Sequence, residues 1–377
     1  MRNPVVEAKF SANNLVLLTG GGTAGHVMPN LALVPVLRAS GFRVEYVGSQ
    51  GLEADLVART GLVFHRISSG KLRRYASIEN FFDVFRVIAG LFQAIVLMIR
   101  LRPACVFSKG GFVAVPVAIG AWITGVPVIS HESDVSPGLA NRIISRFARI
   151  NLFAFPETAR FFGSRPARLA GIPVRPEILA GNRDRGLARC GWGKDHSSLP
   201  VVLFMGGSQG AKFINDLVFA ALPDLLKSCR IVHLTGRGKQ DGFSRDSLPS
   251  ELRGNYQSFE FLNEELADVL AAADLVVCRA GANSIFELRA LRKPMILIPL
   301  EKGSRGDQIL NAESFRAQGE ATVLREGEAS ANLLASMVLQ QIQTSAPTQV
   351  QGRSDDPFVS AEQVVLDEIK SAVRGPG

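Results

Sequence analysis

The stretch LVLLTGGGTAGHVMPN, residues 15–30, decides the fold of the amino-terminal half. Its apolar start, Leu15–Leu18, predicts a short buried strand, which ends at three consecutive glycines. Pro29 suits the first turn of a helix, where its missing N–H is not needed, and the helical pattern ends at Gly41. Glycines in such a turn let backbone N–H groups approach a ligand, and a helix amino terminus favours an anion. The stretch therefore predicts a strand, a ligand-binding loop and a helix.

The glycine spacing in this loop allows a specific hypothesis. Gly20, Gly22 and Gly25 match the G-x-G-x-x-G pattern of a dinucleotide site. Glu45 follows about 20 residues later, at the end of the next predicted strand, where such folds place an acid that binds the ribose. A dehydrogenase of the NAD type is the first hypothesis, and a structural turn without a ligand is its alternative.

The second half of the chain repeats this pattern. Residues 200–226 predict a strand at Val201–Met205, a glycine-rich loop at Gly206–Gly210 and an amphipathic helix. Each half also contains a strand, a glycine turn, a helix, a proline and a further strand, at residues 104–130 and 274–300. Such alternation predicts parallel βαβ units and two doubly wound α/β domains, with a linker region rich in Gly, Pro and Arg at residues 163–200. Because both halves carry loops where open α/β sheets bind ligands, this organisation weakens the dehydrogenase hypothesis.

The composition of the chain limits the kinds of molecule that it is expected to bind. The chain has 377 residues, 47% of them hydrophobic, and a formal net charge of +8. This charge favours phosphates, nucleotides, nucleic acid or an anionic membrane surface. The four cysteines form no C-x-x-C pair and are interpreted as reduced thiols of a cytosolic protein, and no signal peptide is recognised.

One segment raises the question of a membrane. The apolar core Val87–Ile99 lies within residues 81–103, between flanking arginines, and is shorter than the roughly 20 residues that a spanning helix needs. The preceding GKLRRY contributes Lys71, Arg73 and Arg74. Two interpretations stay open: a crossover helix packed on the sheet, or a helix with one face on the sheet and another on anionic lipid.

Glycine-rich and polar stretches at predicted strand ends in the second half are candidates for ligand contacts. Gly206–Gly210 lacks the Lys-Ser/Thr ending of a P-loop but suits a diphosphate at a helix amino terminus. In CRAGANSIFE, Asn283 or Ser284 could cap a helix, and Glu287 could accept hydrogen bonds from a ribose diol or complement the helix dipole. In RGDQILNAESF, residues 305–315, the polar side chains could contact a sugar or cap a helix.

Two further stretches carry ionisable groups. His131, Glu132 and Asp134 follow a predicted strand of the first half, where they could perform acid–base chemistry or support a helix entry. Arg175 lies between prolines near the domain junction, which makes it a candidate phosphate ligand.

Six motifs, in order, resemble those of the MurG family of bacterial N-acetylglucosaminyltransferases: GGGTAGHVMPNLAL, SKGGFVAVPVAIGAW, HESDVSPGLANR, GGSQGAKFIN, CRAGANSIFE and RGDQILNAESF. The resemblance covers about residues 15–324. It implies an α/β protein of the GT-B class, with two Rossmann-like domains facing a central cleft. It also implies an inverting reaction with no cofactor and no metal in the site. The implied boundaries are 1–171 for an acceptor and membrane-binding domain, 172–352 for a UDP-GlcNAc domain, and 353–377 for a helix that returns to the first domain.

The resemblance also implies residue roles. His26 is the candidate base, with Glu132 or Asp134 as alternatives. The implied contacts with UDP-GlcNAc are Thr23, Ala24, Gly25, Asp134, Arg175, Ser208, Leu262, Ala282, Asn283, Ser284, Glu287 and Gln308. Gly21, Gly22, Gly110 and Gly111 would hold the acceptor's diphosphate. Some members have glycine in place of Ala24, and some have Asn in place of Asp134.

The implied reaction moves GlcNAc from UDP-GlcNAc to the 4-hydroxyl of MurNAc in lipid I, which gives lipid II for peptidoglycan synthesis. The alternatives are a GT-B transferase with a different lipid acceptor and a UDP-GlcNAc 2-epimerase. The expected location is the cytoplasmic face of the cell membrane, bound peripherally through an anionic surface, with Phe81, Phe82, Phe85 and Trp122 facing lipid. Cell-wall synthesis proteins are candidate partners, and no nucleic acid is expected.

Overall fold

A computed structural model describes residues 14–70, 78–193, 199–207, 210–239, 243–302, 305–344 and 360–374, with the backbone alone for 78–84. The chain divides into two compact units. Unit 1 contains residues 1–173 and 359–377, and unit 2 contains residues 174–358. Each unit is built around a parallel sheet, which confirms the two predicted α/β halves.

The described part of unit 1 forms a parallel sheet in the order β3-β2-β1-β4-β5-β6-β7. Its strands are β1 Leu15–Thr19, β2 Arg43–Gly48, β3 Phe64–Arg66, β4 Cys105–Ser108, β5 Val128–Glu132, β6 Ile150–Phe153 and β7 Ala167–Leu169. Its helices before unit 2 are α1 Ala24–Ala39, α2 Leu52–Ala58, α3 Ile78–Leu101, α4 Ala114–Ile123 and α5 Leu139–Ile144. Alternate residues of β1 enter two apolar cores, Val16 and Leu18 on one face, Leu15 and Leu17 on the other. This burial on both faces explains why β1 is an unbroken apolar run.

The described part of unit 2 forms a parallel sheet in the order β10-β9-β8-β11-β12-β13. Its strands are β8 Val201–Met205, β9 Arg230–Leu234, β10 Tyr256–Phe259, β11 Leu275–Cys278, β12 Met295–Leu297 and β13 Thr322–Val323. Its helices are α6 Pro176–Leu179, α7 Arg183–Arg189, α8 Lys212–Leu225, α9 Glu265–Ala272, α10 Ala282–Ala290, α11 Asp307–Ala317 and α12 Ala331–Thr344. In each sheet the strand order reverses beside the strand that precedes the first glycine-rich loop, β1 or β8. This is the position at which open α/β sheets bind ligands.

Two local predictions need correction. Helix α1 begins at Ala24 and contains Pro29 in its interior, so His26 lies in the first turn of a helix and not in a loop. The predicted linker, residues 163–200, carries β7, α6 and α7. A Cβ atom at Gly186 of α7 would collide with the Asp268 carbonyl of α9, so the glycine permits these helices to pack closely.

The last helix, α13, spans Ala361–Arg374 and belongs to unit 1. Val365 and Ile369 are fully buried in the same core as Val16 of β1. Arg168 of β7 donates to Glu368 at 2.7 Å. Within the described residues, no helix combines the length and apolar character needed to cross a bilayer.

Candidate active site

The first glycine-rich loop of unit 1 is held by a buried carboxylate. Gly22 has a φ of +84°, and its N–H donates to Oε2 of Glu53 at 3.3 Å. Glu53 lies in the first turn of α2, is 1% exposed, and accepts at Oε1 from the Ser49 N–H at 3.1 Å and from the Ser49 hydroxyl. A Cβ atom at Gly21 would lie 2.7 Å from Oε1 of Glu53. The glycine therefore lets the loop rest directly on this carboxylate.

The second glycine pair, Gly110 and Gly111, packs against the first. Both have positive φ values, +90° and +85°, and a side chain at Gly111 would overlap the Gly21 carbonyl oxygen. The Gly21 N–H donates to the Gly110 carbonyl oxygen at 3.3 Å. The structure thus brings together the four glycines predicted to hold the acceptor's diphosphate. The amides of Gly21 and Gly22 already donate within unit 1, so a diphosphate could take them only if both contacts broke.

His26 is half-buried, and its tautomer follows from its contacts. Its Nδ1 lies 3.0 Å from the Gly21 carbonyl oxygen and 3.2 Å from Oγ1 of Thr23. A carbonyl oxygen only accepts, so Nδ1 carries the proton and the lone pair of the neutral ring is on Nε2. A neutral imidazole in this form can accept a proton at Nε2.

Glu132 occupies the end of β5 and organises the loop that follows. It is 5% exposed, and its oxygens accept from the Asp134 N–H at 2.9 Å, the Gly138 N–H at 3.2 Å and Nδ2 of Asn141 at 2.8 Å. Burial, reinforced by the charge of Asp134, raises the pKa of Glu132 to about 7. These contacts give Glu132 a role in shaping the loop, and its role as an alternative base stays a prediction.

Sequence reasoning missed the buried Lys109, which follows β4. Its Nζ lies 2.7 Å from Nδ1 of His131 and donates to Oγ of Ser133 at 2.7 Å. Burial lowers the pKa of Lys109 to about 7, against the opposing charges of Glu132 and Asp134. A lysine at the end of an otherwise apolar run was the only signal in the sequence.

His131 is held neutral by the same cluster. Nε2 of His131 donates to the Gly171 carbonyl oxygen at 2.6 Å, which leaves Nδ1 to accept from Lys109. Burial and then the charge of Lys109 lower the pKa of His131 far below its usual value. These contacts assign His131 to the framework of the β5 end.

In unit 2, the corresponding loop follows β8. Gly207 and Gly210 have φ values of +86° and +67°, and a side chain at Gly206 would collide with the Ala211 amide. Helix α8 begins at Lys212 immediately after this loop. Ser208 and Gln209 lie outside the described residues, so the predicted diphosphate contact of Ser208 stays a prediction.

Arg175 and Glu287, predicted to bind different parts of one donor, pair with each other. Nε of Arg175 donates to Oε1 of Glu287 at 2.9 Å, and both residues are half-buried. Helix α10 begins at Ala282 after Gly281, without a side-chain cap, so the capping prediction for Asn283 or Ser284 was wrong.

The other predicted donor contacts belong to both units. Leu262, Gln308 and the start of α10 lie in unit 2, whereas Thr23, Ala24, Gly25 and Asp134 lie in unit 1. Oε1 of Gln308 accepts from the Leu300 N–H at 3.0 Å, and Leu262 is buried. A second residue missed by sequence reasoning is Arg279, which follows β11 and pairs with Glu326 at 2.6 Å. Arg279 also donates to the Ile298 carbonyl oxygen at 3.1 Å, which links the ends of β11 and β12.

The dehydrogenase hypothesis loses its ribose-binding acid. Glu45 lies within β2, where its carboxylate pairs with Nε2 of His65 at 2.6 Å and with Nε of Arg43 at 3.2 Å. In the part of the chain that the structure describes, no group of three or more His, Cys, Asp or Glu side chains could hold a metal ion.

Comparisons with known proteins agree with the fold. The model of the glycosyltransferase family 28 N-terminal domain matches residues 16–151, and that of the C-terminal domain matches residues 201–364. The crystal structure of Acinetobacter baumannii MurG has a TM-score of 0.71 at 23% identity and covers 95% of this chain and 99% of that one. CalG4, the calicheamicin glycosyltransferase, has a TM-score of 0.65 at 17% identity and covers 97% of this chain and 100% of that one. These structural matches support the GT-B fold.

Curated relatives are closer in sequence. A Bacillus cereus protein is 48% identical over 86% of this chain and 90% of its own length. It is named UDP-N-acetylglucosamine--N-acetylmuramyl-(pentapeptide) pyrophosphoryl-undecaprenol N-acetylglucosamine transferase 2. A Clostridium kluyveri transferase of the same name without the number is also 48% identical, over 85% of this chain and 88% of its own length. The chain therefore belongs to glycosyltransferase family 28 and, within it, to the MurG family.

Proposed function

We propose that this chain transfers GlcNAc from UDP-GlcNAc to the 4-hydroxyl of MurNAc in lipid I and so forms lipid II. The observation that carries this proposal is the 48% identity, over most of the chain, to relatives whose names specify this transfer. The two glycine-rich loops at the reversal points of the two sheets support it, because the reaction needs an acceptor site and a nucleotide site.

In the proposed reaction, the acceptor oxygen attacks the anomeric carbon of GlcNAc while the bond to the UDP oxygen breaks, which inverts that carbon. His26 takes the hydroxyl proton at Nε2, and the Nδ1 contact with Gly21 supports this role. The transition state has oxocarbenium character, as in glycoside hydrolysis. Negative charge develops on the leaving diphosphate, where backbone donors of the β8 loop and the amino terminus of α8 can stabilise it.

Most of the proposed donor contacts belong to unit 2, and those predicted for Thr23, Ala24, Gly25 and Asp134 belong to unit 1. Glu287 would accept from the ribose diol, and Arg175 and Ser208 would hold the diphosphate. Leu262 would meet the uracil through its backbone, Gln308 would contact GlcNAc, and the start of α10, Ala282–Ser284, would line the nucleoside. The ion pair between Arg175 and Glu287 supports a common site for the first two of these residues.

The test is UDP release from UDP-GlcNAc, measured with and without a soluble lipid I analogue. Release that depends on the analogue and yields a disaccharide would support the proposal. Release without it would indicate an epimerase or a hydrolase, and no release in either case would redirect the search to other lipid acceptors.

The role of His26 has its own test. His26→Ala is expected to lower kcat by about 100-fold or more, the usual range for a general base. His65→Ala is the matched control, because His65 is a half-buried histidine of β3 paired with Glu45. Near-normal turnover of a folded His26→Ala variant would remove His26 as the base.

We further propose that unit 1 binds the cytoplasmic face of an anionic membrane through α3 and α4. Phe85, Ile88, Phe92, Val96 and Ile99 are exposed at spacings of three and four residues, so they share one face of α3. Trp122 and Ile123 add exposed apolar surface on α4. The opposite face of α3 packs on α4, where a Cβ atom at Gly120 would lie 3.0 Å from that of Ala94.

The charges near this face suit an anionic bilayer. Arg86, Arg100 and Arg102 are exposed along the same helix and just after it. The side chains of Phe81 and Phe82 and the basic run of Lys71, Arg73 and Arg74 lie outside the described residues, and their contribution stays a prediction. The binding of cell-wall synthesis proteins also stays a prediction.

Vesicle sedimentation tests the membrane proposal. Phe92→Glu is expected to lower the fraction bound to phosphatidylglycerol vesicles by about tenfold, because it places a charge in the centre of the apolar face. Val63→Glu is the control, since Val63 is also exposed but precedes β3. Equal binding of the two variants would exclude this face as the membrane contact.

A further inference from the structure

One peptide group in the first glycine-rich loop connects a buried carboxylate to the candidate base. The carbonyl of Gly21 accepts from Nδ1 of His26 at 3.0 Å, and the N–H of Gly22 donates to Oε2 of Glu53 at 3.3 Å. These two groups are the ends of the same peptide unit, and in a trans peptide they point in opposite directions. Glu53, the peptide and His26 therefore form one continuous chain of hydrogen bonds.

Such a chain has a physical consequence for the imidazole. A carboxylate that accepts from the Gly22 N–H polarises the peptide, which makes the Gly21 carbonyl oxygen a stronger acceptor. A stronger acceptor at Nδ1 favours the Nδ1–H tautomer and stabilises the imidazolium that forms when Nε2 takes a proton. In serine proteases, an aspartate bonded directly to Nδ1 of the histidine has this effect. Here a peptide group stands between the carboxylate and the ring.

We propose that Glu53 is a positioning residue that acts through the Gly21–Gly22 peptide group to fix the tautomer of His26 and increase the proton affinity of its Nε2. The role of His26 as the base rests on the proposed function, but the hydrogen-bonded relay from Glu53 to His26 does not. The loop has glycine at both positions where a side chain would disrupt the relay. A Cβ atom at Gly21 would collide with the Glu53 carboxylate, and one at Gly111 would collide with the Gly21 carbonyl oxygen.

Other titratable groups surround the relay. Tyr46 of β2 donates to the Gly20 carbonyl oxygen at 2.7 Å and lies within electrostatic range of Glu53. Lys109, after β4, packs its Cβ against Gly20 and directs its ammonium group to His131 and Ser133. Burial places the pKa of Lys109 at about 7, close to that of an ordinary histidine. Burial also raises the pKa of Glu132 to about 7. A kinetic pH profile alone would therefore mix three groups, so the test must observe His26 itself.

The experiment is a pH titration of His26 by NMR on the full chain with 15N-labelled histidine, assigned by the signal lost in His26→Ala. In the unmodified protein, the neutral ring is expected to carry its proton on Nδ1. In Glu53→Gln, the pKa of His26 is expected to fall by about 0.5 or more, because the carboxylate charge is removed. Ser49→Ala is the matched control, since it removes a hydrogen bond to Oε1 but leaves the charge and the Oε2 contact.

The outcomes separate the relay from the proposed function. An Nε2–H tautomer in the unmodified protein, or an equal pKa in Glu53→Gln and Ser49→Ala, would overturn the relay. The tautomer of His26 is measured in the unmodified protein, so this part of the test remains valid if Glu53→Gln does not fold. In the transfer assay, the acidic limb of the kcat/KM profile is expected to move down with the NMR pKa. An NMR shift without a kinetic shift would keep the relay and refute His26 as the base.

Discussion

Gly111→Ala tests whether the contact between the two glycine loops of unit 1 positions His26. Gly111 has a φ of +85°, and a Cβ atom there would overlap the carbonyl oxygen of Gly21. Gly125 is a matched control, because it has a φ of +76° with nothing near its missing Cβ atom. Both substitutions place alanine at a positive φ, but only the Cβ atom at position 111 would collide with a neighbouring atom.

The magnitude follows from three contributions. Alanine in the left-handed region costs about 1–2 kcal/mol, and the stiffer unfolded chain returns about 0.4–1 kcal/mol. Gly125→Ala should therefore lower the free energy of unfolding by about 1 kcal/mol. Gly111→Ala adds an overpacking cost of about 1–3 kcal/mol, which gives a total of about 2–4 kcal/mol.

The assay combines urea unfolding with the transfer reaction. Displacement of the Gly21 carbonyl would break the hydrogen bond from Nδ1 of His26, so Gly111→Ala should also lower kcat by about tenfold or more. Gly125→Ala should keep kcat near that of the unmodified protein. If the two variants lost equal stability and kept equal turnover, the contact between the loops would have neither of the effects assigned to it.

Three further measurements address unit 2 and the last helix. Burial lowers the pKa of His233 to about 3, so below about pH 6.5 the unfolded state binds a proton that the folded state does not. The free energy of unfolding should fall by about 2 kcal/mol between pH 7 and pH 5 from this residue, and His233→Gln should lose that dependence in urea titrations. By calorimetry, Glu287→Gln should weaken the binding of UDP about tenfold and the binding of 2′-deoxy-UDP by less. An equal loss of affinity for the two nucleotides would argue against a ribose contact. Ile369→Ala should lower the free energy of unfolding by about 2–5 kcal/mol, because Ile369 is fully buried. Asp367→Ala should lower it by about 0.5 kcal/mol or less, because Asp367 is exposed, and equal losses would contradict the packing of α13.

Local patterns in the sequence were enough to predict the two sheets. The strand predicted at Val201–Met205 has the observed bounds, because an apolar run buried on both faces ends at glycine. The start of α1 was predicted too late, since Pro29 was taken as a first-turn residue although the helix accommodates it in its interior. Proline removes its own N–H from the helix ladder and crowds the carbonyl four residues earlier, so it disfavours a helix interior without excluding it.

Contacts between distant residues could not be predicted. Glu53 reaches Gly22 across 31 positions, and Arg175 reaches Glu287 across 112. In the sequence, Glu53 is one more acid at the start of a helix, where a carboxylate usually complements the helix dipole. Its burial beneath the loop depends on how α2 returns from β2, which no short motif specifies. The family resemblance named His26 and Glu287 but not the residues that orient them.

The buried carboxylate separates the roles of two loops that look alike in sequence. In unit 1, Glu53 lies beneath Gly21 and Gly22 and accepts one of their N–H groups, so its negative charge disfavours an anion there and favours an imidazolium at His26. In unit 2, α8 begins at Lys212, soon after Gly210, and its amino terminus favours a negative charge. These charges favour the proposal that the first loop takes part in proton transfer and the second binds the donor diphosphate. By this argument, an acceptor diphosphate would bind nearer Gly110 and Gly111 than Gly21 and Gly22.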